Sequence, residues 1–596
     1  MPIQILAPQI ASKIAAGEVV ERPASVVKEL IENAIDAGAS ELRIEVMQAG
    51  RRLIRVSDDG SGIPYLELPL AFQHHATSKI SDERDLAHIR TLGFRGEALA
   101  SIAAVSHVNV VTRTKSEIEG TLLQIQDGNI LRHEHHGARP GTTITVENLF
   151  YNTPARLKFL RSATTESSHI IKLTSAYAMS HPEIRFTLLD DGRQVLQTSG
   201  NGKLYDVLVK VLGMEVAQRM LEIPETVVAS PEATEAPTQG STETVRVHGY
   251  VSTPELHRST RGHQILFVNR RWIQDRALSY AVEEAFRTLL PVGRYPIAIL
   301  NLAINPEDVD VNVHPTKREV RFREPRLIFS TIQRAVRHAV VGQAPVASMS
   351  SQPAAVVPTP WHNQRMPLHY DGVGSNASRT ELAMELQRTD PSLSDGTSAA
   401  SAPMHERLPM LRVLGQVRQL YIIAEGPDGL YLIDQHAAHE RILYEQLQDE
   451  QSKGPVPVQA LLEPLPLEFA PHHSQLLESQ LENLRQMGFE IAPFGGNTYI
   501  VRSVPTALMQ SKVGDVIAEI LDAAADGMPS PSSTDPVLSI IACHGAVRAG
   551  QILSLDEARQ LIHLLEQTHS PYTCPHGRPT MIHLSSAQLA RSFSRQ

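Results

Sequence analysis

Apolar and polar residues alternate with regular periods in two long stretches of the chain, separated by a segment without a period. Residues 1–335 combine helical and strand-like periods with short turns, which predicts one or two α/β domains. The acidic, Pro/Thr-rich segment 222–244 predicts a long surface loop near a domain boundary. Beyond it, VRVHGYVS and HQILFVNRRWI are predicted strands, and DRALSYAVEEAFRTLL is a predicted amphipathic helix.

The period is lost between about 342 and 408, where Ser, Ala and Pro dominate. A structureless segment of this length is unusual inside a compact domain, so we predict a flexible linker between domains. Patterning resumes at LRVLGQVRQLYIIAEGPDGLYLIDQHAAHERILYEQL, which predicts two strands with a PDG turn, followed by a helix. Residues 457–539 contain two further predicted helices, HHSQLLESQLENLRQMG and VGDVIAEILDAAA, and are predicted to form an inserted subdomain.

At 596 residues the chain is too long for one hydrophobic core, and the patterns predict several domains of α/β (α+β) class. The predicted segments are a first domain at 1–215, a second α/β domain at 216–338, a linker at 339–408, a C-terminal α/β domain formed by 409–456 with 540–596, and an inserted subdomain at 457–539.

Composition changes this picture little. No apolar run is long enough to span a bilayer, and the N-terminus lacks the pattern of a signal peptide, so we expect a cytoplasmic protein without membrane contact. The net charge of −10 argues against DNA binding by the whole surface but leaves room for a local basic patch. Cys543 and Cys574 are the only cysteines, which excludes a disulfide framework and predicts reduced thiols.

The first candidate chemistry lies in VVKELIENAIDAGAS, residues 26–40. As a helix, this segment presents an apolar stripe formed by Val27, Leu30, Ile31, Ala34 and Ile35. Glu29, Asn33 and Asp36 recur at helical spacing and therefore share the other face. A solvated face of an amphipathic helix would produce the same spacing.

Three later motifs favour a binding site over a solvated face. Two predicted strands follow the helix, and the second ends in DDGSG with Asp58 in phase with the apolar residues Ile54 and Val56. HHATSKI and TLGFRGEALASI come next, and the latter places glycines before a predicted helix, an arrangement that suits anions. The motifs match neither a Walker A loop nor a Rossmann fingerprint.

ELIENAIDAG, DDGSG, HATSKI and GFRGEAL, in this order, resemble the ATPase superfamily of DNA gyrase, Hsp90, histidine kinases and MutL. GFRGEAL, with IAAGEVVERPASVVKEL and FYNTPARLKFL, resembles the MutL family in particular. The resemblance implies a Bergerat-type ATPase sandwich in the first domain, a transducer-like second domain, and ATP with Mg²⁺ as ligands. The presence of Glu29 favours hydrolysis over phosphate transfer to a protein.

The resemblance also assigns roles to individual residues. Glu29 would be the general base, Asn33 would ligate Mg²⁺, and Asp58 would accept a hydrogen bond from the adenine amino group. The other implied ATP and Mg²⁺ contacts are Asp36, Gly60, Gly62, Thr77, Ser78, Lys79, Gly93, Phe94, Arg95, Gly96, Glu97, Ala98, Leu99 and Thr142. Lys79, Gly93, Arg95 and Gly96 would belong to a lid over the phosphates, and Thr142 would lie near the adenine.

Two predictions concern the second domain. Lys317, between two strand-like runs, is either an exposed lysine at a turn or, as the resemblance implies, a contact to the γ-phosphate of ATP. Arg270, Arg271 and Arg276 are candidate contacts to the DNA phosphate backbone, although a basic turn is commonly only solvated.

The second candidate chemistry follows the predicted strand YLI in the C-terminal domain. Asp434 is predicted to cap a helix on which His436 and Glu440 share one face, as a metal site or as a surface pair. Cys543 lies beside a histidine in ACHG, and Cys574 and His576 are separated by one residue. Thiolate, imidazole and carboxylate together suit Zn²⁺, or Mn²⁺ at the harder ligands.

DQHAAHERILYE, ACHGAVR and CPHGRP resemble the MutL proteins that carry their own endonuclease. The resemblance implies a metal site formed by Asp434, His436, Glu440, Cys543, Cys574 and His576, with Asp434 and Glu440 catalytic in nicking one DNA strand. A structural zinc in an ATP-switched matchmaker without nuclease activity is the main alternative. A topoisomerase subunit or a chaperone of the same ATPase superfamily is another.

The resemblance further implies partners. These are a second copy of the chain bound through the C-terminal domain, the mismatch-recognition protein MutS, DNA, and the replicative sliding clamp. The clamp would bind VQALLEPLPLEF, in which Gln459, Leu462, Pro464 and Leu465 are the candidate contacts. A core strand leading into the inserted subdomain is an equally good interpretation of that segment.

Overall fold

The computed structural model describes two long stretches of the chain, with short gaps in each. The described residues are 20–79, 91–93, 96–229, 244–287, 289–290, 293–310, 320–342, 408–454, 456–509, 511–525, 535–547 and 551–592. The mixed α/β class predicted from the sequence is confirmed throughout these residues. No helix among them is both long enough and apolar enough to cross a membrane.

The first domain is built on a mixed sheet of eight strands. Its strands are β1 Glu41–Met47, β2 Leu53–Asp58, β3 His107–Arg113, β4 Gly120–Gln126, β5 Asn129–His136, β6 Gly141–Glu147, β7 Arg185–Asp190 and β8 Arg193–Gln197. Its helices are α1 Pro23–Asp36, α2 Ala98–Ala104, α3 Pro154–Phe159, α4 Ala163–Ser180, α5 Leu204–Leu212 and α6 Met214–Ala217. The strand order is β5-β4-β3-β6-β2-β1-β7-β8, and β1 pairs with β7 in parallel.

One face of this sheet forms the core with α1 and α4. In β1 the side chains of Leu42, Ile44 and Val46 are buried and alternate with more exposed residues, as the strand period requires. Helix α1 buries the predicted apolar stripe against β2 and α4, apart from Ile35, which is partly exposed. Its polar face is thereby directed away from the core.

The second domain contains a five-stranded sheet of order β13-β12-β15-β10-β9 covered by two helices. Its elements are β9 Met220–Ala229, β10 Thr244–Ser252, β11 His257–Arg258, β12 Gln264–Val268, β13 Arg271–Ile273, α7 Arg276–Ala285, β14 Tyr295–Pro296, β15 Ala298–Ala303, β16 Val309–Asp310, β17 Arg321–Phe322 and α8 Pro325–Gly342. The strands and the helix predicted after the acidic segment are confirmed. The loop predicted at 222–244 is wrong at its start, because β9 continues to Ala229 in antiparallel pairing with β10. Residues 230–243 lie outside the described residues.

Helix α8 continues past 339, the predicted start of the linker. Ala339 and Val340 are buried in the core of the second domain, and this apolar contact extends the helix to Gly342. Residues 343–407 of the predicted linker lie outside the described residues.

The C-terminal half contains two smaller sheets. Its elements are β18 Arg412–Val417, β19 Tyr421–Gly426, β20 Gly429–Asp434, α9 Gln435–Lys453, β21 Val458–Glu468, α10 Pro471–Gln486, β22 Glu490–Gly495, β23 Thr498–Pro505, α11 Val513–Ala525, α12 Asp535–Gly545, α13 Leu555–Glu566, β24 Met581–Ser585 and α14 Ser586–Ser592. The sheets have the orders β18-β19-β20-β24 and β21-β23-β22. The strands of the first sheet lie at 412–434 and 581–585, and those of the second lie at 458–505.

The prediction of two strands before α9 was wrong, because three antiparallel strands precede it. A second turn at 418–420, with Arg418 and Gln419 at positive φ, separates β18 from β19. This turn contains no Gly or Pro, so the sequence gives no signal for it.

Candidate nucleotide and metal sites

The polar face of α1 lines a cavity of about 1040 Å³ in the first domain, a volume suited to a nucleotide. Glu29, Asn33 and Asp36 of α1 all contribute to its wall. The other predicted residues that line it are Asp58, Gly62, Thr77, Ser78, Lys79, Gly93, Gly96, Glu97, Ala98, Leu99 and Thr142. Five separate motifs, spread over more than a hundred residues, therefore meet at one cavity.

Asp36 connects three of these motifs. Its Oδ1 accepts a hydrogen bond from the backbone N–H of Leu92 at 2.9 Å, and its Oδ2 accepts one from Gly93 at 2.9 Å. The ammonium of Lys79 donates to the same Oδ2 at 2.5 Å and to Oδ1 of Asn33 at 3.0 Å. A positive charge thus lies between Asn33 and Asp36, on the residues that the sequence predicts to contact Mg²⁺ and phosphate.

Asp58 and Thr142 also line the cavity and lie side by side, because they are partners in the antiparallel pairing of β2 with β6. Oδ1 of Asp58 accepts hydrogen bonds from the backbone N–H of Gly60 at 2.9 Å and of Thr142 at 3.3 Å. Burial raises the pKa of Asp58 to about 6 despite these two donors. Gly60 therefore acts through Asp58 and is not itself among the residues lining the cavity.

Two glycines are required where the chain passes close to other backbone. Gly62 has φ of +73°, and a Cβ there would lie 2.2 Å from the carbonyl oxygen of Arg113. Gly96 has φ of +63°, and a Cβ would lie 2.5 Å from the carbonyl oxygen of Ala76. Any side chain at either position would displace the loops that line the cavity.

Glu29 belongs to a partly buried charge cluster. The ammonium of Lys28 lies 2.9 Å from Oε1 of Glu29 and 2.9 Å from Oε1 of Glu32. Glu32 also accepts a hydrogen bond from the hydroxyl of buried Tyr177 at 2.6 Å. Burial alone would lower the pKa of Lys28, but the two carboxylates outweigh it and raise that pKa. Lys28, which contacts Glu29 directly, and Glu32 and Tyr177 behind it were not predicted from the sequence.

The structure changes one of the predicted DNA contacts in the second domain. Arg271 is buried and donates hydrogen bonds to the carbonyl oxygens of Thr91 at 2.8 Å and Leu92 at 3.0 Å. It therefore joins the second domain to the loop held by Asp36, and we do not retain it as a DNA contact. Arg276 is exposed, and exposed Arg270 forms an ion pair with Glu183.

Three predicted ATP contacts cannot be placed. Phe94, Arg95 and Lys317 lie outside the described residues.

In the C-terminal domain, Asp434 ends β20 and caps α9, as predicted. Its Oδ1 accepts hydrogen bonds from the backbone N–H groups of His436 at 2.9 Å and Ala437 at 3.1 Å. The cap starts the helix at a position that places His436 and Glu440 one turn apart, with Nε2 of His436 3.3 Å from Oε1 of Glu440. Glu440 is 3 % exposed, so the pair is not a solvated surface feature.

Two overlapping groups of potential metal ligands surround Glu440. The ligand atoms of His436, Glu440 and Cys543 lie within 4.8 Å of one another, and so do those of Glu440, Cys574 and His576. Asp434 belongs to neither group. Five of the six predicted ligands are therefore brought together by three chain segments: α9, α12 and the turn around 574–579.

The orientation of His436 suits metal binding. Its Nδ1 lies 2.9 Å from the carbonyl oxygen of Val547, a contact in which Nδ1–H donates and Nε2 remains directed toward Glu440. Histidine ligands of metals are commonly held in this way by a backbone carbonyl. The neighbouring His439 accepts a hydrogen bond from the N–H of Val547 at 2.8 Å, which fixes the same loop.

The electrostatics of this cluster favour a cation. Hydrogen bonds with Cys543 and Glu440 raise the pKa of His436 to about 10, and hydrogen bonds with Cys574 and Glu440 raise the pKa of His576 to about 10. Burial alone would raise the pKa of Glu440, but the two imidazoles hold it well below its usual range. The carboxylate and thiol groups thus stabilise positive charge between them, and the donor set fits Zn²⁺ or Mn²⁺.

Arg294 of the second domain reaches this cluster, and the sequence analysis did not find it. Its NH2 donates to Sγ of Cys543 at 3.3 Å, and its NH1 donates to Oε2 of Glu519 at 2.8 Å. Glu519 also lies 2.8 Å from Nε2 of His544. The histidine beside Cys543 in the sequence indicated a metal site, whereas nothing in the sequence connects Cys543 with Arg294, which is 249 residues away.

The candidate clamp segment forms part of β21, which pairs with β23 at both ends. The register shifts between Ala460 and Leu465, and the side chains from 462 to 465 are exposed. Leu462 is fully exposed. The segment is therefore a strand, but it is not the core strand of the second interpretation, because most of its side chains are exposed. The candidate peptide contacts Gln459, Leu462, Pro464 and Leu465 are all accessible.

Three family profiles match successive parts of the chain. Residues 21–147 match the histidine kinase-, DNA gyrase B-, and HSP90-like ATPase, and residues 210–341 match the C-terminal domain of DNA mismatch repair proteins. Residues 414–553 match the MutL C-terminal dimerisation domain.

Similar proteins cover the chain from end to end. The DNA mismatch repair protein MutL of Desulforudis audaxviator is 41% identical over 600 residues and covers 100% of both chains. MutL of Methanoculleus marisnigri is 40% identical over 614 residues, covering 100% of this chain and 99% of its own. The Aquifex aeolicus MutL ATPase domain complexed with ADP has a TM-score of 0.35 and 28% identity, covering 48% of this chain and 94% of that one.

The alternatives of a topoisomerase subunit and a chaperone are wrong, because this chain contains the ATPase, mismatch-repair and MutL dimerisation domains in succession and matches MutL proteins over its full length. The chain belongs to the MutL family of DNA mismatch-repair proteins, and its N-terminal domain is an ATPase domain of the gyrase, HSP90 and histidine kinase type.

Proposed function

We propose that this protein is an ATP-hydrolysing switch of mismatch repair that also nicks one DNA strand through a metal site around Glu440. The N-terminal cavity would bind Mg²⁺ and ATP, and the C-terminal cluster would hold Zn²⁺ or Mn²⁺. The observation that carries the nicking proposal is the membership of Glu440 in two ligand groups at once.

In the ATPase half, Glu29 would take the proton of the water that attacks the γ-phosphate, and Asn33 would hold Mg²⁺ on the phosphates. Lys79 would turn from Asn33 and Asp36 toward phosphate oxygens when Mg²⁺ arrives, because two cations repel each other at that position. Asp36 holds the backbone of Leu92 and Gly93, and Arg271 holds the same loop from the second domain. A nucleotide that displaces Lys79 would therefore act on the contact between the two domains.

In the C-terminal half, the donor set argues against a purely structural zinc. A structural zinc site is closed by four ligands, whereas the two groups here offer five side chains and share one carboxylate. A shared carboxylate suits a pair of ions, as in many enzymes that cleave phosphodiesters. The bound metal would stabilise negative charge on the phosphate and activate water. The alternative remains an ATP-switched matchmaker whose C-terminal metal is structural.

A nicking assay on protein of known metal content tests this proposal. We expect the purified full-length chain to convert supercoiled plasmid to the nicked form when Mn²⁺ is supplied, and a chelator to abolish the conversion. Metal content should be measured on the same preparation. If metal-loaded protein fails to nick even with a sliding clamp present, the nicking proposal is wrong and the matchmaker function is the one that remains.

The partners proposed for this function are a second copy of the chain, MutS, DNA and the sliding clamp. The second copy would bind through the region that matches the dimerisation domain. Arg270 and Arg276 remain candidates for DNA phosphate contacts because both are exposed. The bulged segment around Leu462 is the proposed clamp contact, since it presents apolar side chains on an otherwise paired strand.

The raised pKa of Asp58 predicts that nucleotide affinity depends on pH. If the adenine amino group donates to the Asp58 carboxylate, binding requires the ionised form, whose pKa burial has raised to about 6. Affinity should therefore be constant above that pH and fall about tenfold per unit below it, as expected for one linked proton. Binding of a non-hydrolysable ATP analogue to the parent chain and to Asp58→Asn would measure this.

The Asp58→Asn variant keeps an oxygen for the N–H groups of Gly60 and Thr142 but cannot titrate. Its affinity should be lower at neutral pH and should show no step near pH 6. An identical pH profile in both proteins would remove Asp58 from the adenine contact.

A further inference from the structure

A second cluster of imidazole and carboxylate groups lies where the second domain contacts the inserted subdomain. His472 and His473 are in the first turn of α10, and Asp522 is near the end of α11. His263 approaches from the second domain, immediately before β12. These four residues come from two folded regions that are separated in sequence by the predicted linker.

The carboxylate of Asp522 lies between two of the imidazoles. Its Oδ1 is 2.7 Å from Nε2 of His473, and its Oδ2 is 2.6 Å from Nε2 of His263. The ring of His472 lies beside that of His473, with centroids 4.0 Å apart. Potential ligand atoms of His472, His473 and Asp522 all lie within 4.8 Å of one another.

The cluster is secluded but retains space. The side chains of His473, Asp522 and His263 are 6 %, 12 % and 13 % exposed. A cavity of about 20 Å³ lies against His263, His472 and Asp522, with room for about one water molecule or ion. A binding site of this size would take a single small ion and exclude a larger ligand.

The types of ligand in the cluster select the class of ion. Lys172 lines the same cavity, and Arg258 lies nearby in an ion pair with Asp515 at 3.1 Å. The donor set itself disfavours Mg²⁺ or Ca²⁺, which need several oxygen ligands and here would find one carboxylate. Each imidazole can offer one ring nitrogen to an ion, and the ligand atoms of His472, His473 and Asp522 already lie within 4.8 Å of one another. Neutral imidazoles with one carboxylate are ligands for Zn²⁺ and similar ions.

We infer that His472, His473 and Asp522 form a binding site for a divalent transition-metal ion of the zinc class, completed by His263 from the second domain. The ion would join the ATPase-bearing half of the chain to the inserted subdomain. Metal binding would therefore stabilise the arrangement in which Arg258 pairs with Asp515 and Arg294 with Glu519. This inference does not depend on nicking, because none of its four ligands belongs to the Glu440 cluster.

Zinc stoichiometry and particle size of the full chain test the inference. Protein stripped of metal is titrated with Zn²⁺ alone, and the bound zinc is measured after removal of weakly held ions. We expect Asp522→Asn to bind about one ion fewer per chain than the parent, because a neutral amide is a poor zinc ligand. The parent should become more compact on zinc addition, as judged by its radius of gyration in small-angle scattering.

His263→Ala distinguishes a metal site that joins the second domain to the inserted subdomain from a site confined to the inserted subdomain. It should bind zinc at least about tenfold more weakly at this site and lose the compaction. His338→Ala, an exposed histidine of the same domain, is the matched control and should behave as the parent. Unchanged ATP hydrolysis in each variant shows that it is folded. Equal zinc stoichiometry in parent and Asp522→Asn, or full compaction in His263→Ala, would overturn the inference.

Discussion

Replacing Glu29 with alanine should leave ATP binding intact and reduce ATP hydrolysis by roughly 10²–10⁴-fold, the usual contribution of a general base. Glu29 lies on the cavity wall, while other side chains, among them Asn33 and Asp58, are proposed to hold Mg²⁺ and the nucleotide. The fold should survive, because Lys28 retains its ion pair with Glu32 after Glu29 is removed. Single-turnover hydrolysis and equilibrium binding of ATP, measured on the same preparation, check both parts of this expectation.

Two further variants sharpen the result. Glu29→Gln keeps the shape of the side chain and can still accept from Lys28, but it cannot take a proton, so it should be as inactive as the alanine variant. Glu134→Ala, at an exposed position of the edge strand β5, should hydrolyse ATP normally. Normal turnover in Glu29→Gln would assign the proton transfer to another group.

Much of the ATP site could be predicted because its residues are placed by local structure. Helical spacing alone puts Glu29, Asn33 and Asp36 on one face, and the strand period puts Asp58 at the end of β2 facing the same cavity. Such predictions require only that the elements form. The pairing of Asp58 with Thr142 needed the sheet order, which a local pattern does not contain.

Contacts made by tertiary packing could not be predicted. Arg271 is part of a basic run that suggests a DNA surface, yet its guanidinium is buried because two backbone carbonyl oxygens of the 91–92 loop accept its hydrogen bonds. Arg294 and His263 contact residues more than 240 positions away, on the far side of the linker. Their neighbours in sequence carry no period or motif that points to these partners.

The predicted ligands of the C-terminal metal cluster include residues that the sequence placed correctly and one that it did not. The positions of the two cysteines beside histidines suggested a metal site, and the structure brings both to Glu440. Asp434 shared the same motif but is not in either ligand group, because its Oδ1 is engaged by the N-terminus of α9. An aspartate just before a helix can either cap that helix or bind a metal, so the sequence alone cannot separate the two roles.

Replacing Glu440 with glutamine should abolish nicking, by at least about 100-fold, while ATP hydrolysis stays at the level of the parent. Glu440 is the one side chain shared by both ligand groups, so its loss weakens every ion that the cluster holds. The fold should tolerate the change, because the raised pKa values of His436 and His576 depend on hydrogen bonds with Cys543 and Cys574 and, in addition, on this carboxylate. Without the Glu440 carboxylate, both imidazoles would lose a proton more readily. The variant would then not bury a positively charged imidazole that lacks a partner.

Nicking of supercoiled plasmid with Mn²⁺, together with metal content, measures the effect, and Glu450→Gln at an exposed position of α9 is the matched control. Asp434→Asn then separates the capping role from chemistry. Asparagine caps a helix about as well as aspartate, so α9 should start at the same residue and present His436 and Glu440 unchanged. Loss of nicking in Asp434→Asn would therefore place its carboxylate in the reaction, whereas full nicking would restrict it to the cap. If Glu440→Gln itself nicks as the parent does, the cluster is structural and the protein acts in repair as a matchmaker.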